Sequence, residues 1–411
     1  MVAFKFKRIY GAYLACRKRK RATSQAQHYD LHLLDELVWA SESLQKQTRQ
    51  PRRTACFITI RPKAREIHAA AFADRVIHHL LVPHLEKLYE PIFIHDSYSN
   101  RKNKGTHKAV ERLQQFMRQV TCNQKRRAYY LQLDIHNFFN SVDKGLLFQL
   151  IQQRLHDPQL LWLCRTILEH NPCLNVKEYG GAKKFAKVPA HKRLKNAPQG
   201  KGLPIGNLTS QFFANLYMNE LDQFVKHHLK CKHYLRYVDD FILLHEDKAQ
   251  LEAWREVMIV FLHERLGLRL KDRGKFHPIS NGADFLGYIV RPHYCLVRRR
   301  VVGNLREKLS CFEHKIANLG GLSYIDYSAL QAILASYLGH FRHASSYRLV
   351  HSLWRQYPWL SRYFLLIHPI EYRGALRKKN HPKIILSFSA YQAQKKARFN
   401  ALSFFPLENN L

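Results

Sequence analysis

Acidic residues are scarce in this chain of 411 residues, which contains 31 Asp and Glu against 67 Lys and Arg. The resulting formal charge of +36 is far more than solubility requires, and the basic residues recur along most of the chain instead of forming one tail. Such a field attracts a polyanion over a long track through counterion release. The composition therefore indicates a nucleic-acid partner, either for an enzyme or for a basic protein of the ribosomal kind.

Two other features are absent from the sequence. None of the 8 cysteines belongs to a Cys-x-x-Cys pair, which argues against a zinc ribbon or a disulfide framework and favours reduced thiols in a cytoplasm. The N-terminal segment has no continuous apolar run, so neither a signal peptide nor a membrane span is expected. The histidine pairs 78–79 and 227–228 lack ligands at metal spacing, and we expect them to be surface or RNA-facing residues.

Apolar patterns predict alternating strands and helices between residues 56 and 290, hence a mixed α/β core. The Lys-rich stretch 174–202 is predicted to be a mobile basic loop. The remaining predicted elements are a strand at 56–61, a helix ending near Pro83, a strand at 129–135, helices from near Thr209 and at 248–266, a strand pair ending at 285–290, and a helical C-terminal third.

The segment "YLRYVDDFILLHE" places Asp239 and Asp240 between two apolar runs that read as a hairpin. Adjacent buried carboxylates need a positive partner. If the hairpin turns at this pair, the strand carrying Asp134 could lie beside it. Two Mg²⁺ ions would then neutralise the three acids, and such ions about 3.5–4 Å apart support in-line phosphoryl transfer. The alternative is an ordinary hairpin turn, since Asp favours turns.

Four segments in order, "LQLDIHNFFNSV", "GLPIGNLTSQFFANLYMNELDQF", "YVDD" and "FLGY", resemble the palm of reverse transcriptases. The resemblance covers roughly residues 55 to 360. It implies an α/β (α+β) right-hand polymerase with fingers, a palm of antiparallel sheet plus helices, and a helical thumb. The implied divisions are a basic helical extension at 1–54, fingers at 55–128, a palm at 129–290 with a basic insertion at 174–202, a thumb at 291–360 and a C-terminal extension at 361–411.

The same resemblance assigns roles to individual residues. Asp134, Asp239 and Asp240 would be catalytic and would hold two Mg²⁺ ions, with Mn²⁺ as an alternative and the Ile135 carbonyl as a further ligand. Residues implied to bind the incoming dNTP are Lys63, Arg65, Arg75, Phe139, Ile205, Gly206, Gln211 and Lys275. Residues implied to contact template or primer are Arg101, Lys104, Tyr237 and the turn Phe285, Leu286, Gly287 and Tyr288. In the family, Phe139 would block a 2′-hydroxyl, and Lys275 is a candidate general acid toward pyrophosphate.

Pro204-Ile205-Gly206 stands where most reverse transcriptases have Pro-Gln-Gly. The segment "IGNLTSQ", with Ser210-Gln211 where others have Ser-Pro, resembles the reverse transcriptases of diversity-generating retroelements. The resemblance implies a cytoplasmic enzyme of a bacterium or phage that copies a template RNA into mutated cDNA. Its implied partners are the RNA template, a DNA primer or product, dNTPs, and an accessory protein or second polymerase, with no membrane. Antiphage-defence reverse transcriptases, which copy a small noncoding RNA, are the alternative because 174–202 and 361–411 extend beyond the family core.

Two other classes remain open at this point. A two-metal nuclease would also use clustered acids and a basic surface, although hydrolysis does not require the tyrosine-flanked acid pair or the upstream "GLPIGN" loop. A non-enzymatic RNA-binding maturase with a vestigial palm would have no reason to retain uncompensated acids. The sequence therefore favours an RNA-directed DNA polymerase.

Overall fold

The computed structural model describes residues 4–60, 63–366 and 376–378. Most of the expected C-terminal extension, 361–411, lies outside the described residues. The chain divides into two compact units, Met1–Ile279 and Ser280–Leu411. All eight cysteines are free thiols. Among the described residues, none of the helices combines the length and the apolar character needed to cross a bilayer.

The first unit begins with three helices, followed by a hairpin and a long helix. The buried side chains of the N-terminal helices join the same core as those of the long helix. These elements are α1 (Phe6–Arg17), α2 (Ser24–Leu31), α3 (Leu33–Gln45), β1 (Thr54–Thr59), β2 (Arg65–Ala69), α4 (Phe72–Tyr89) and α5 (Thr106–Val120).

Helix α4 continues through Pro83, so the predicted end at that residue is wrong. Proline removes one backbone hydrogen bond, but Leu85 and Tyr89 extend the buried stripe beyond it. The burial of Leu85 and Tyr89 stabilises the last turns of α4. His78 in this helix is 6% exposed, so its predicted surface position is also wrong, whereas His227 and His228 are exposed as expected. Burial lowers the pKa of His78 to about 4 and keeps the ring neutral.

The next elements include the insertion 174–202, which is not the structureless loop that its composition predicts. Its strand pairs in parallel with β1, from Thr54 opposite Val176 to Phe57 opposite Tyr179. The elements before the insertion are β3 (Tyr129–Asp134), α6 (Phe138–Ser141), α7 (Lys144–Gln152) and α8 (Pro158–Glu169), and those within it are β4 (Val176–Tyr179) and α9 (Ala182–Phe185). Backbone pairing with a distant strand therefore orders a segment that local composition marks as a loop.

The last elements of the first unit are α10 (Leu208–Gln223), a π-helix (Phe224–His228), β5 (Tyr234–Tyr237), β6 (Asp240–His245), α11 (Lys248–Leu266) and β7 (Phe276–Pro278). A four-stranded antiparallel sheet in the order β5-β6-β3-β7 forms the centre of this unit. Four successive β6 residues, 241–244, are fully buried. Because successive side chains of a strand point to opposite faces, both faces of the sheet are covered, and α5 and α11 both contact β6.

The second unit combines a small antiparallel sheet with a helical core, as the helical C-terminal third predicts. Its sheet order is β10-β9-β8, and a separate pair joins β11 and β12. Its elements are β8 (Ala283–Phe285), β9 (Tyr288–Val290), β10 (Cys295–Val297), α12 (Arg299–Leu319), α13 (Tyr324–Phe341), α14 (Tyr347–Gln356), α15 (Leu360–Tyr363), β11 (Phe364–Leu366) and β12 (Leu376–Lys378). The five-part division into extensions, fingers, palm and thumb stays a prediction.

A buried ion pair fixes the hairpin of β5 and β6 to the helix before it. Arg236 and Asp222 are both 0% exposed, and Arg236 Nη2 lies 2.6 Å from Asp222 Oδ2. The guanidinium also donates to the side chains of Asn215 and Ser97 and to the Val238 carbonyl at 2.9 Å. Arginine has five N–H donors in a rigid fork, and the guanidinium makes five hydrogen bonds here.

Asp222→Asn should destabilise the first unit by about 3–5 kcal/mol, because it leaves a buried guanidinium without its counter-charge. Urea unfolding of the full chain measures this as a lower midpoint. The matched control is Glu42→Gln, which removes the exposed ion pair with Lys46 and should change stability by less than about 1 kcal/mol. Equal midpoints for the two variants would show that the buried pair does not stabilise the fold.

Candidate active site

Three carboxylates meet at one end of the central sheet. Asp134, the last residue of β3, lies directly opposite Asp240, the first residue of β6. Opposed residues of antiparallel strands have Cβ atoms about 4.5–5.5 Å apart and share a face. Asp239 occupies the preceding turn, where its carbonyl accepts a hydrogen bond of 3.3 Å from Ile135 N. The strand register therefore brings together acids that are far apart in the sequence.

The hairpin turns at Val238 and Asp239, one residue earlier than the sequence suggested. Val238 has a φ of 60°, a left-handed conformation that is strained for a β-branched residue and costs about 1–3 kcal/mol. The Arg236 guanidinium donates a hydrogen bond of 2.9 Å to the carbonyl of Val238. The buried ion pair therefore supports the strained turn that presents Asp239.

Burial and mutual repulsion raise the pKa of both acids of the hairpin. Burial, followed by the charge of Asp134, raises the pKa of Asp239 to about 6. Burial raises the pKa of Asp240 to about 7; the charges of the other two acids act in the same direction, against a hydrogen bond from Gln132 and the charge of Lys271. These carboxylates lack sufficient positive charge around them.

Two neighbours of the acids were missed by sequence reasoning. Gln132 Nε2 donates to both carboxylate oxygens of Asp240, at 3.0 and 3.1 Å, and Lys271 Nζ lies 3.3 Å from Asp134 Oδ2. Gln132 could have been found, because it precedes Asp134 by two residues and so shares its face of β3. Lys271 gave no such signal, since its position depends on a backbone hydrogen bond of 2.8 Å from Lys271 N to the Asp134 carbonyl.

The site fits magnesium by its donor chemistry. Its donors are carboxylate oxygens, which Mg²⁺ prefers, and Mg²⁺ needs only a few protein ligands because it retains waters. In the described part of the chain, the donor atoms of these three acids do not all lie within 4.8 Å of one another. Asp134, Asp239, Asp240 and the Ile135 carbonyl are the residues that would hold the ions.

One residue of the predicted nucleotide site, Arg65, lies near these acids. Arg65, at the start of β2, lies close enough to Asp239 for its charge to lower the pKa of that carboxyl, and Lys63 is exposed two residues earlier. Phe139 is half-buried, and its carbonyl accepts a hydrogen bond of 2.7 Å from Leu203 N. A basic group and an aromatic ring therefore lie on segments adjoining the acids.

The loop 203–207 docks onto β2. His68 N donates to the Ile205 carbonyl at 2.8 Å, and Ala70 N donates to Asn207 Oδ1 at 3.1 Å. Gly206 has a φ of 123°, and a Cβ atom there would lie 2.9 Å from Ile67 Cγ2, so only glycine fits without a shift. These contacts hold residue 205 in a fixed position, while Gln211 lies in the first turn of α10.

Other predicted site residues have protein partners of their own. Arg75 donates to Gln25 at 2.6 Å, Arg101 bonds Glu90 and two backbone carbonyls, and Lys104 donates to the His95 carbonyl at 2.7 Å. Their roles toward dNTP or template stay predictions.

The predicted tyrosine, lysine and primer-grip positions can also be located. Tyr237 lies opposite Asp240 in the sheet, with its hydroxyl 3.2 Å from Thr106 Oγ1, and Lys275 is exposed just before β7. In the second unit, Phe285 and Tyr288 pair across a tight turn. The turn consists of Leu286 and Gly287, which both have positive φ angles.

Comparison with known proteins gives one family match. Residues 51–290 match the family described as reverse transcriptase (RNA-dependent DNA polymerase), and this range contains all three acids. The match and the antiparallel sheet with its flanking helices confirm the predicted fold class, a right-hand polymerase.

Individual relatives are distant. Protein YkfC of Escherichia coli K12 is 24% identical over 283 residues, which cover 60% of this chain and 68% of YkfC. The group II intron-encoded protein LtrA of Lactococcus lactis is 22% identical over 292 residues, 56% of this chain and 45% of LtrA. An apo telomerase structure from Candida tropicalis has a TM-score of 0.42 and 13% identity, covering 64% of this chain and 60% of that one. The chain thus spans less than half of LtrA.

The apparent affinity for Mg²⁺ should rise as the pH increases from about 5 to about 8, because protons compete with the metal for Asp239 and Asp240. Their pKa values of about 6 and about 7 exceed the unfolded value of about 3.9. By the same linkage, the metal-free fold should lose stability over this range, since it binds more protons than the unfolded chain. Calorimetric titration with Mg²⁺ measures the affinity, and a value independent of pH would contradict the raised pKa values.

Proposed function

Because the chain belongs to the reverse transcriptase (RNA-dependent DNA polymerase) family, we propose that it copies an RNA template into DNA by two-metal nucleotidyl transfer. The observation that carries the proposal is the register that places Asp134 opposite Asp240, with Asp239 in the adjoining turn. This arrangement raises the pKa of two of the acids in a chain whose formal charge is +36.

In this mechanism Asp134, Asp239 and Asp240 would hold two divalent cations. When bound, two Mg²⁺ ions supply activation of the 3′-hydroxyl and neutralise charge on the triphosphate. Arg65 and Lys63 bind and orient the triphosphate, and the ring of Phe139 occupies the space that a 2′-hydroxyl would need. The basic residues of the chain bind the RNA template and the DNA primer or product through their phosphates.

The hypothesis of a nuclease is weaker because of the loop 203–207. Its docking onto β2 fixes Ile205 and Gly206 on the strand that also carries Arg65, an arrangement suited to an incoming nucleotide beside a template. Hydrolysis of a phosphodiester needs no such surface. Primer extension with purified protein, Mg²⁺ and dNTPs distinguishes synthesis from nucleotide release.

For the biological role, we propose error-prone copying of a template RNA, as in diversity-generating retroelements. The supporting observation is Ile205, whose side chain offers bulk but no hydrogen bond to the nascent base pair. Copying of a small noncoding RNA in antiphage defence is the second candidate, favoured by the ordered insertion 174–202. Sequencing of RNA that copurifies with the protein distinguishes them: a repeat of a nearby gene favours diversification, and a structured RNA unrelated to neighbouring genes favours defence.

Asp239→Asn should abolish primer extension on an RNA template while leaving RNA affinity nearly unchanged, because it removes a metal ligand and adds no negative charge. Extension assays and filter binding measure the two effects. Glu246→Gln is the control, since it neutralises an exposed acid just beyond the same hairpin and should retain activity. Wild-type extension by Asp239→Asn would refute the assignment of the acids.

Ile205→Gln should lower misincorporation several-fold, because glutamine can hydrogen-bond across the substrate where isoleucine contributes only volume. The measurement is the error frequency of cDNA sequenced after copying of a defined RNA. Ile205→Leu, which keeps an apolar side chain, should retain the wild-type frequency. If the glutamine variant gave an unchanged error spectrum, residue 205 would not control fidelity.

A further inference from the structure

A second cluster of metal-ligating side chains lies in the sheet of β2, β1 and β4. Cys56 of β1 is directly opposite His68 of β2. Glu66 precedes His68 by two residues and therefore lies on the same face of the strand. All three residues are buried, at 1%, 8% and 3% exposure for Cys56, Glu66 and His68. The register of the hairpin thus collects a thiol, a carboxylate and an imidazole in one place.

The distances within this cluster resemble those of a tetrahedral metal site. His68 Nε2 lies 3.1 Å from Glu66 Oε2 and 4.0 Å from Cys56 Sγ, and donor atoms of all three lie within 4.8 Å of one another. Zinc bond lengths of about 2.0–2.3 Å imply ligand separations of about 3.3–3.8 Å in a tetrahedron. Small side-chain shifts would therefore bring all three donors into bonding range.

The charges of the cluster also suit a divalent cation. Glu66 Oε2 accepts a hydrogen bond of 2.8 Å from the backbone N–H of Leu194. Metal binding would displace the thiol proton of Cys56; the charges of the thiolate and of Glu66 would then balance one divalent cation, and a neutral site is compatible with burial. The Nδ1 atom of His68 is buried without a hydrogen-bond partner among the described residues.

We propose that Cys56, Glu66 and His68 bind one Zn²⁺ ion, with water as the fourth ligand. A thiolate and an imidazole favour zinc over magnesium, which prefers oxygen donors. This site differs in position and in donor chemistry from the three acids of the central sheet. It was missed in the sequence because the cysteines and histidines have no local zinc spacing; the strand register assembles the ligands instead.

The zinc site would join the insertion 174–202 to β2, the strand onto which the loop 203–207 docks. Leu194 N of the insertion donates to Glu66 Oε2 at 2.8 Å. On the same strand, His68 N holds the Ile205 carbonyl, and Ile67 contacts Gly206. Zinc would therefore stiffen β2 between the insertion and the loop 203–207, without taking part in the chemistry at the acids.

The test measures metal in the purified full-length chain. Mass spectrometry of metal content should give about one Zn²⁺ per chain, and replacement with Co²⁺ should give tetrahedral d–d bands together with a thiolate charge-transfer band. Cys56→Ser and Glu66→Gln should each lower the apparent Zn²⁺ affinity by at least about 100-fold, measured by competition with a chromophoric chelator. Cys231→Ser changes a buried thiol outside the cluster and should keep wild-type affinity.

Two results would overturn the proposal. One is a wild-type chain that takes up neither Zn²⁺ nor Co²⁺ at stoichiometric concentration. The other is Zn²⁺ affinity in Glu66→Gln equal to that of wild type, a comparison that remains usable if Cys56→Ser fails to fold. Because both measurements read metal binding directly, they are independent of whether the chain polymerises DNA.

Discussion

Repulsion between three carboxylates at one end of the central sheet is the constraint on which the rest of the site depends. The sheet places Asp134 of β3 opposite the hairpin residues Asp239 and Asp240, although burial and the neighbouring acids raise the pKa of both hairpin carboxyls. Gln132 and Lys271 relieve this only in part, and two divalent cations would remove it. The polar groups around the acids thus bond to individual oxygens but do not neutralise the negative charge. A site with this remaining negative charge is suited to binding two metal ions.

The fold supports these acids through a buried ion pair that is bonded to the turn carrying Asp239. Arg236 is fully buried, pairs with Asp222, and bonds the carbonyl of Val238 in the strained turn. Both faces of the central sheet are covered by apolar packing, so the hairpin has little freedom to relax. Rigid support of this kind keeps the acids close before any metal or nucleic acid binds, which reduces the reorganisation needed for catalysis.

The sequence predicted elements and local chemistry well and long-range pairing poorly. Alternation in the strand of Asp134 and the Asp239-Asp240 doublet are local patterns, but the expectation that the three acids converge rested on the ordered motifs that resemble the palm of reverse transcriptases. The pairing of β4 with β1, which orders the insertion, depends on residues distant in sequence and has no local signal. The same limit hid the Cys56 cluster. Burial of His78 was missed because the packing that covers this side of α4 has no local signal. The helix extends past Pro83 because tertiary packing outweighs proline's preference.

The most direct test of the account is to locate divalent cations in a crystal of the full chain bound to an RNA–DNA duplex and a non-reactive dNTP. Anomalous scattering from Mn²⁺ should show two peaks at the end of the central sheet, with ligands from Asp134 and Asp239. A complex with duplex and nucleotide in place but no metal bonded to these acids would contradict the central claim, because the acids would then not act as metal ligands.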